Sequence, residues 1–427
     1  MDKLAIIGGR PLYGDVPISG AKNSALKVMA ACLLTDEPLV LENVPDLVDV
    51  AMLERLLCQH GAKITVSHDG ASGVRTMRLT ANTITSTTAP YDLVRKMRAS
   101  FNVLGPILAR EGKARVSLPG GCAIGARPVD LHLKALEAMG ATIELDEGYV
   151  NADAPNGLIG GTITFPFVSV GATEHAMLAA TIARGETVLG NVAREPEIID
   201  LADCLTAMGA KIEGAGTSTI TITGVDRLTG ATHRVLPDRI ETGAYAMAVG
   251  VTGGSLTLRH TDLSLLGTAA GIMEEAGLVL TPTPDGFQVT RPGPRCVPVD
   301  VVTAPYPGFP TDLQAQFMAM MTTASGTAAI KETIFENRFM HAPELGRMGA
   351  KISVDGKVAT VKGVDRLKGA PVMATDLRAS MSLVMAALGA EGQTIVNRVY
   401  HLDRGFERLE EKLSNCGALI RRVREER

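Results

Sequence analysis

The sequence contains no tryptophan and few other aromatic residues. Phenylalanine and tyrosine together make up 4% of its 427 residues, although 46% of the residues are hydrophobic. The hydrophobic cores must therefore consist mainly of alanine, leucine, valine, isoleucine and the 18 methionines. The length predicts two or three domains.

The sequence also lacks a strong charge bias and a long apolar segment. Its formal net charge is -4, which does not favour binding to nucleic acid or to an anionic membrane. No apolar run approaches the roughly 18 residues of a membrane-spanning helix. The segment 1–8 has neither the apolar region nor the cleavage site of a signal peptide. We therefore expect a soluble, cytoplasmic protein that does not bind nucleic acid.

The cysteines show no paired spacing, and no histidine or cysteine motif indicates a metal site. We expect neither a disulfide framework nor a metal or other cofactor. Four of the six cysteines lie in apolar helical patterns, which predicts that they are buried as small hydrophobic residues: Cys32, Cys58, Cys204 and Cys416.

Cys122 has a different setting, within the glycine-rich segment 118–130. Glycine permits a loop to adopt backbone conformations that other residues avoid. Pro128 suits the first position of a helix, whose free N–H groups would lie beside the Arg127 guanidinium and form an anion site. A thiol next to positive charge is chemically reactive. The alternative is a surface cysteine without a role.

An internal repeat organises the chain. Six times, an amphipathic helix ends at a glycine that is followed by a short strand, at intervals of about 70 residues. Each glycine is predicted to adopt the left-handed conformation that ends a helix. The six glycines are Gly61, Gly140, Gly209, Gly277, Gly349 and Gly417.

A second helix, rich in alanine and methionine, precedes each of these elements, and in the second repeat it is expected to be continuous over 98–108. The pattern predicts a β-α-β-α-β-β unit. Its apolar character is typical of a buried helix, whereas the alternating strands, such as 219–223, indicate sheets with one solvent-exposed face. Six units predict an α/β protein of two domains with three repeats each, divided near Leu236 and Pro237. The repeat leaves open where residues 1–21 pair.

Polar residues recur where the second helices begin. Helix N-termini carry partial positive charge and unpaired N–H donors, so several of them around one cleft would bind a strongly anionic, phosphorylated substrate. The residues are Lys22, Asn23, Arg98, Ser169 to Gly171, Arg239, Asp312 and Arg378.

Each of these residues also has a simpler interpretation. Ser169 and Asp312 are suitable helix N-caps, and Lys22 is compatible with a solvated charge. Arg404 has possible ion-pair partners in Asp403 and Glu407. His132 and His401 are also open to a simpler interpretation, since a histidine is more often a hydrogen-bonded structural residue than a catalytic one.

Several segments resemble the enolpyruvyl transferase family over essentially the whole chain. They are Ser19 to Ser24, Leu118 to His132, Pro310 to Gln316, Phe335 to His341, Asp376 to Ser380 and Asp403 to Glu407. The resemblance implies a two-domain inside-out α/β barrel of six repeats, with helices within and sheets outside. It implies a first domain of 22–236 that carries the Cys122 loop, a second domain of 1–21 plus 237–427, and an active site in the cleft between them.

The resemblance also implies a reaction. Members of the family transfer the enolpyruvyl group of phosphoenolpyruvate to a hydroxyl group and release phosphate by addition and elimination. The matched motifs imply that the acceptor is the 3′-hydroxyl of UDP-N-acetylglucosamine, in the first committed step of peptidoglycan synthesis. We expect a monomer that needs no cofactor and is a target of the epoxide fosfomycin.

The family's site residues can be carried over to matching positions. Cys122 corresponds to a general acid that can form an adduct with phosphoenolpyruvate, and Asp312 to the group that binds the sugar hydroxyl and acts as its base. Asn23 corresponds to a group that polarises the intermediate. The cations expected to bind phosphoenolpyruvate are Lys22, Arg127 and Arg404. The positions expected to contact the UDP-sugar are Arg98, Arg127, Pro128, Val129, Asp130, Leu131, Ser169, Val170, Gly171 and Ile334, and Arg378 belongs to the substrate-binding set.

One position departs from the family pattern. Phe167 stands where many relatives have a lysine that contacts the nucleotide, which predicts a weaker contact here. Two alternatives remain. A sister transferase acting on shikimate 3-phosphate would share the repeat but is not expected to carry the Cys122 and Asp312 segments. A non-catalytic nucleotide-sugar sensor would lose the acid or the cations, and this chain retains both.

Overall fold

The computed structural model describes residues 2–68, 74–120 and 129–424. The predicted site residues Cys122, Arg127 and Pro128 lie outside these ranges. The strands are, in chain order, β1 Lys3–Ile7, β2 Leu12–Pro17, β3 Leu39–Glu42, β4 Lys63–His68, β5 Arg75–Thr80, β6 Thr88–Ala89, β7 Lys113–Ser117, β8 Thr142–Asp146, β9 Tyr149–Asp153, β10 Thr162–Thr164, β11 Glu186–Gly190, β12 Lys211–Glu213, β13 Thr219–Thr223, β14 Ala231–Arg234, β15 Gly254–Arg259, β16 Val279–Thr283, β17 Gly286–Thr290, β18 Val301–Val302, β19 Thr327–Lys331, β20 Lys351–Asp355, β21 Val358–Lys362, β22 Pro371–Met373, β23 Gln393–Asn397 and β24 Leu419–Val423.

Helices alternate with these strands. The α-helices are α1 Lys22–Ala30, α2 Val48–Gln59, α3 Tyr91–Val94, α4 Leu104–Glu111, α5 Asp130–Ala138, α6 Val170–Ala180, α7 Pro196–Ala207, α8 Arg239–Thr252, α9 Thr268–Glu275, α10 Gln314–Met321, α11 Ala342–Arg347, α12 Leu377–Gly389 and α13 Leu409–Asn415. The 3₁₀ helices are Ala31–Leu34, Arg98–Val103, Leu263–Leu266, Thr311–Leu313 and Val399–Arg404. No helix in the described part of the chain combines the length and apolar character needed to cross a bilayer.

The chain divides into two compact units. In the described ranges, the first unit comprises 20–120 and 129–236, and the second comprises 2–19 and 237–424. The predicted domains, 22–236 and 1–21 with 237–427, remain a prediction about folding units, as does a cleft between them.

Each unit contains three four-stranded sheets among its described residues. Those of the first unit have the orders β14-β3-β5-β4, β6-β7-β9-β8 and β10-β11-β13-β12. Those of the second have the orders β16-β17-β15-β2, β18-β19-β21-β20 and β22-β23-β1-β24. Every sheet has one parallel pair at an edge and two antiparallel pairs, such as β6 with β7 and β7 with β9. The N-terminal strands complete sheets of the second unit, since β1 pairs with β23 and β24 and β2 pairs with β15.

The alanine- and methionine-rich helices are the most deeply buried elements of each unit. In the second unit α8, α10 and α12 pack against one another, and almost every residue of these helices is buried. The sheets bury one face only, as in β13, where Ile220 and Ile222 are buried and Thr219 and Thr223 are exposed. Apolar helices within and alternating strands outside confirm the predicted α/β fold class.

The six repeat glycines adopt the predicted conformation. Their φ angles lie between 88° at Gly140 and 102° at Gly61, in the left-handed region where a side chain would be strained. They therefore end the six amphipathic, outer helices as expected; these helices are α2, α5, α7, α9, α11 and α13.

Two local predictions were wrong. Cys58 is exposed, because the buried face of α2 is formed by Val50, Leu53, Leu56 and Leu57, and Cys58 points away from it. The expected continuous helix over 98–108 is a 3₁₀ helix followed by α4. Pro106 has no N–H to donate to a carbonyl in the preceding turn, which explains a break there.

Candidate functional site

Lys22 is buried at the start of α1 in the first unit, with an exposed fraction of 9%. Its Nζ lies 2.8 Å from Oδ2 of Asp49, whose exposed fraction is 2%. The interpretation of Lys22 as a solvated charge is therefore wrong. Asn23, the next residue, is partly exposed. A buried ion pair fixes the ammonium group of Lys22 at the helix start.

Two buried polar contacts connect α1 to neighbouring elements of the first unit. The Ser24 hydroxyl donates to Asp200, whose other carboxylate oxygen lies 3.0 Å from Nε2 of His233. Lys27 donates to Glu174 of α6. These contacts anchor the helix that begins with Lys22 to α6, α7 and β14, so the orientation of its N-terminus is set by the surrounding unit.

The other predicted positions of the first unit lie on elements around α1. Arg98 begins a 3₁₀ helix that packs against both α1 and α6, and α5 packs against α6. The Ser169 hydroxyl caps α6 by accepting a bond from Ala172 N–H at 3.3 Å, as predicted. The remaining predicted positions in this unit are partly or fully buried: Val129, Asp130, Leu131, Val170 and Gly171.

His132 and His175 connect these elements. Their ring centroids are 5.1 Å apart, and a Cβ on Gly171 would lie 3.3 Å from the His132 ring. His175 Nε2 accepts a hydrogen bond of 2.7 Å from Gly105 N–H, at the start of α4. Burial, followed by the nearby Lys27 charge, lowers the pKa of His175 to about 3. His175 is therefore a neutral structural residue that links α6 to α4.

Asp312 lies between two arginines in the second unit. Its Oδ1 accepts a bond from Arg338 Nη2 and its Oδ2 accepts one from Arg378 Nη2, each at 2.8 Å. The exposed fraction of both arginines is 5%, and that of the Asp312 side chain is 27%. Asp312 is not an N-cap, since Pro310 holds that position. Two guanidinium groups fix an accessible carboxylate.

The other predicted positions of this unit lie on elements next to Asp312. The Asp376 carboxylate caps α12 by accepting bonds from Arg378 N–H and Ala379 N–H. Burial acts to lower the pKa of Arg378, but the Asp312 charge opposes this effect and the pKa is raised overall. Arg404, partly exposed, ends a 3₁₀ helix that packs against α12.

Sequence reasoning missed Arg338, Lys27, Glu174 and Asp49. Arg338 lies in a segment that carries the family resemblance, without a predicted role. The signal for Glu174 was a charged residue inside an otherwise apolar helix, which requires a buried partner.

The chain is similar to known proteins over almost its whole length. Residues 6–413 match the family model for EPSP synthase (3-phosphoshikimate 1-carboxyvinyltransferase). The chain is 64% identical over 428 residues to a UDP-N-acetylglucosamine 1-carboxyvinyltransferase of Sinorhizobium medicae, which covers 99% of this chain and 100% of the relative.

Two solved structures share the fold of this chain. The enolpyruvyl transferase NikO from Streptomyces tendae superposes with a TM-score of 0.88 at 29% identity, over 100% of this chain and 99% of that one. An EPSP synthase from Acinetobacter baumannii has a TM-score of 0.75 at 17% identity, over 99% of this chain and 100% of that one, which indicates a shared fold. The chain belongs to the EPSP synthase family of enolpyruvyl transferases.

Proposed function

We propose that this protein transfers the enolpyruvyl group of phosphoenolpyruvate to the 3′-hydroxyl of UDP-N-acetylglucosamine and releases phosphate. The observation that carries the proposal is the full-length identity of 64% to a protein named for this acceptor. The fixed, accessible Asp312 carboxylate supplies an acceptor for a hydroxyl proton. The proposed site residues divide between the two units.

Asp312 binds the sugar hydroxyl in this proposal and accepts its proton as the oxygen attacks C2 of phosphoenolpyruvate. The arginines at 338 and 378 each occupy one of its oxygens. A carboxylate has about four lone-pair sites, so one arginine bond to each oxygen does not by itself use its whole capacity as an acceptor. The two guanidinium groups thus orient the carboxylate without preventing it from acting as a base.

Lys22 and Arg404 provide positive charge for phosphoenolpyruvate. Lys22 is held by Asp49 at 2.8 Å, which fixes the position of its ammonium charge at the start of α1. Asn23 would bind the tetrahedral intermediate from the adjoining position. Charge-assisted bonds of this kind stabilise the developing charges of addition and elimination.

Cys122 completes the proposed chemistry as the acid that protonates C3 of phosphoenolpyruvate during addition. In the elimination step C3 loses a proton and the C2–O bond to phosphate breaks, which regenerates the double bond in the product. Cys122 and Arg127 lie outside the described residues, so their roles come from the sequence alone. A thiol of ordinary pKa near 8.5 retains a transferable proton at neutral pH.

The acceptor distinguishes this proposal from its alternative. The family model is named for 3-phosphoshikimate, but the EPSP synthase structure is only 17% identical to this chain, compared with 64% for the UDP-N-acetylglucosamine enzyme. The proposal includes a role in peptidoglycan synthesis, a cytoplasmic location and a monomeric state.

Phosphate release from phosphoenolpyruvate tests the proposal. We expect release that depends on UDP-N-acetylglucosamine, with shikimate 3-phosphate inactive in its place. Asp312→Asn should lower kcat by at least about 100-fold, because an amide cannot accept the proton. Release with shikimate 3-phosphate only would establish the alternative, and no release with either acceptor would refute both.

A further inference from the structure

Glu332 and Thr303 lie side by side in the second unit. They directly follow β19 and β18, two parallel strands in which Val302 pairs with Lys331. Thr303 N–H donates to Lys331 carbonyl oxygen at 2.9 Å. Because the carboxyl ends of parallel strands meet at one edge of a sheet, both side chains are placed at the same edge.

The Glu332 carboxylate is buried, with an exposed fraction of 1%. Its Oε1 accepts bonds from Thr303 Oγ1 at 2.9 Å, Ile334 N–H at 2.8 Å and Phe335 N–H at 3.2 Å. Its Oε2 accepts a bond from Thr311 Oγ1 at 2.9 Å. The Glu332 side chain accepts all four bonds and joins three separate segments of chain.

Two of these segments contain proposed substrate-binding residues. Thr311 begins the 3₁₀ turn that carries Asp312. Ile334 is a proposed contact of the UDP-sugar, and the ring of the next residue, Phe335, lies 5.4 Å from the Arg338 guanidinium carbon. Since Arg338 also binds Asp312, the two segments meet twice, once at Asp312 and once at Glu332.

We propose that Glu332 is a positioning residue for the sugar acceptor, which holds the Asp312 turn and the Ile334 segment at a fixed separation. This inference rests on the proposed function. The Oε2 bond sets the turn that carries the base, and the Oε1 bonds set the backbone that contacts the UDP-sugar. Both catalysis and sugar affinity therefore depend on a carboxylate that touches no substrate.

Thr311→Val tests the Oε2 bond with a side chain of nearly the same shape. Thr322→Val is the control, because the Thr322 hydroxyl, like that of Thr311, donates a hydrogen bond within this unit, here to Ala319 carbonyl oxygen at 2.6 Å at the far end of α10. Thr322 is buried, whereas Thr311 is partly buried. We expect Thr311→Val to lower kcat by about tenfold, and Thr322→Val to leave kcat within about twofold of the wild type while losing comparable thermal stability.

Glu332→Leu should also raise KM for UDP-N-acetylglucosamine by about tenfold or more, since both sets of bonds are lost. Glu332→Gln should restore activity to within about threefold, because the amide oxygen still accepts both backbone bonds and the Thr311 hydroxyl can turn to accept from the amide. If Glu332→Leu does not fold, the two threonine variants decide the question.

Kinetic constants with both substrates and thermal unfolding are measured for all variants. Equal kcat in Thr311→Val and Thr322→Val, with an active wild type, would overturn the positioning role alone. A glutamine variant as impaired as the folded leucine variant would overturn it too. A wild type without sugar-dependent phosphate release refutes the proposed function, and the positioning role with it.

Discussion

Exchange of Lys27 for methionine should destabilise the protein by an amount that grows with pH. Lys27 pairs with Glu174, which is fully buried between the helices of the first unit. Burial raises the pKa of Glu174 from 4.5 to about 7, although the Lys27 charge opposes this, and Glu197 and Glu195 raise it slightly further. Methionine has a similar length and no charge, so the exchange removes the only positive charge among the groups that set the pKa of Glu174.

The direction in which stability changes with pH follows from the raised pKa of Glu174. The folded protein binds the Glu174 proton more tightly than the unfolded chain, so this group favours folding most below pH 4.5 and loses that contribution as the pH rises to about 7. Without Lys27 the folded pKa rises further, and the loss continues above pH 7 at about 1.4 kcal/mol per pH unit. An unpaired buried charge costs about 3–5 kcal/mol. We therefore expect Lys27→Met to cost about 3–5 kcal/mol at pH 8 and about 1 kcal/mol less at pH 6.

Glu174→Gln provides a control of opposite sign. Glutamine does not titrate, so the variant does not share the wild type's loss of unfolding free energy between pH 6 and pH 8. The difference in stability between the wild type and Glu174→Gln should therefore shrink by about 1 kcal/mol over this interval. Urea unfolding followed by circular dichroism at pH 6, 7 and 8 measures both variants. A Lys27→Met cost that is constant or larger at pH 6 would refute the reasoning.

Three further expectations concern other parts of the chain. Gly105→Ala should cost about 1–3 kcal/mol in urea unfolding, because a Cβ would lie 2.8 Å from a buried imidazole nitrogen, whereas Gly271→Ala, with open space around it in α9, should be neutral or slightly stabilising. Fosfomycin should label Cys122 and leave Cys58 unlabelled in mass spectrometry. Although Cys58 is exposed, partial desolvation of its thiol, followed by the Glu54 charge, raises the pKa of that thiol and makes it less reactive. Labelling mainly at Cys58 would contradict this expectation. Arg404→Ala should weaken the use of phosphoenolpyruvate by about tenfold and leave calorimetric UDP-N-acetylglucosamine binding nearly intact; equal losses would mean that Arg404 supports the fold.

The sequence by itself determined the repeated unit and its fold class. The glycine that ends each outer helix, the alternating strand over 219–223 and the hydroxyl cap at Ser169 are signals read within a few residues. Such features depend on residues that are close together in sequence, so a local pattern can predict them. The same reasoning failed at Cys58, because an apolar pattern does not reveal which side of a helix a residue near its end will face.

Only the tertiary structure decided which side chains work together. The two arginines that bind Asp312 lie 26 and 66 residues away in sequence, and Glu174 lies 147 residues from Lys27. From the sequence alone, a charged residue could be exposed to solvent or paired with any distant residue of opposite charge. Burial removes the solvent alternative, because an ion inside a protein must be paired, and the packing of the helices then selects the partner.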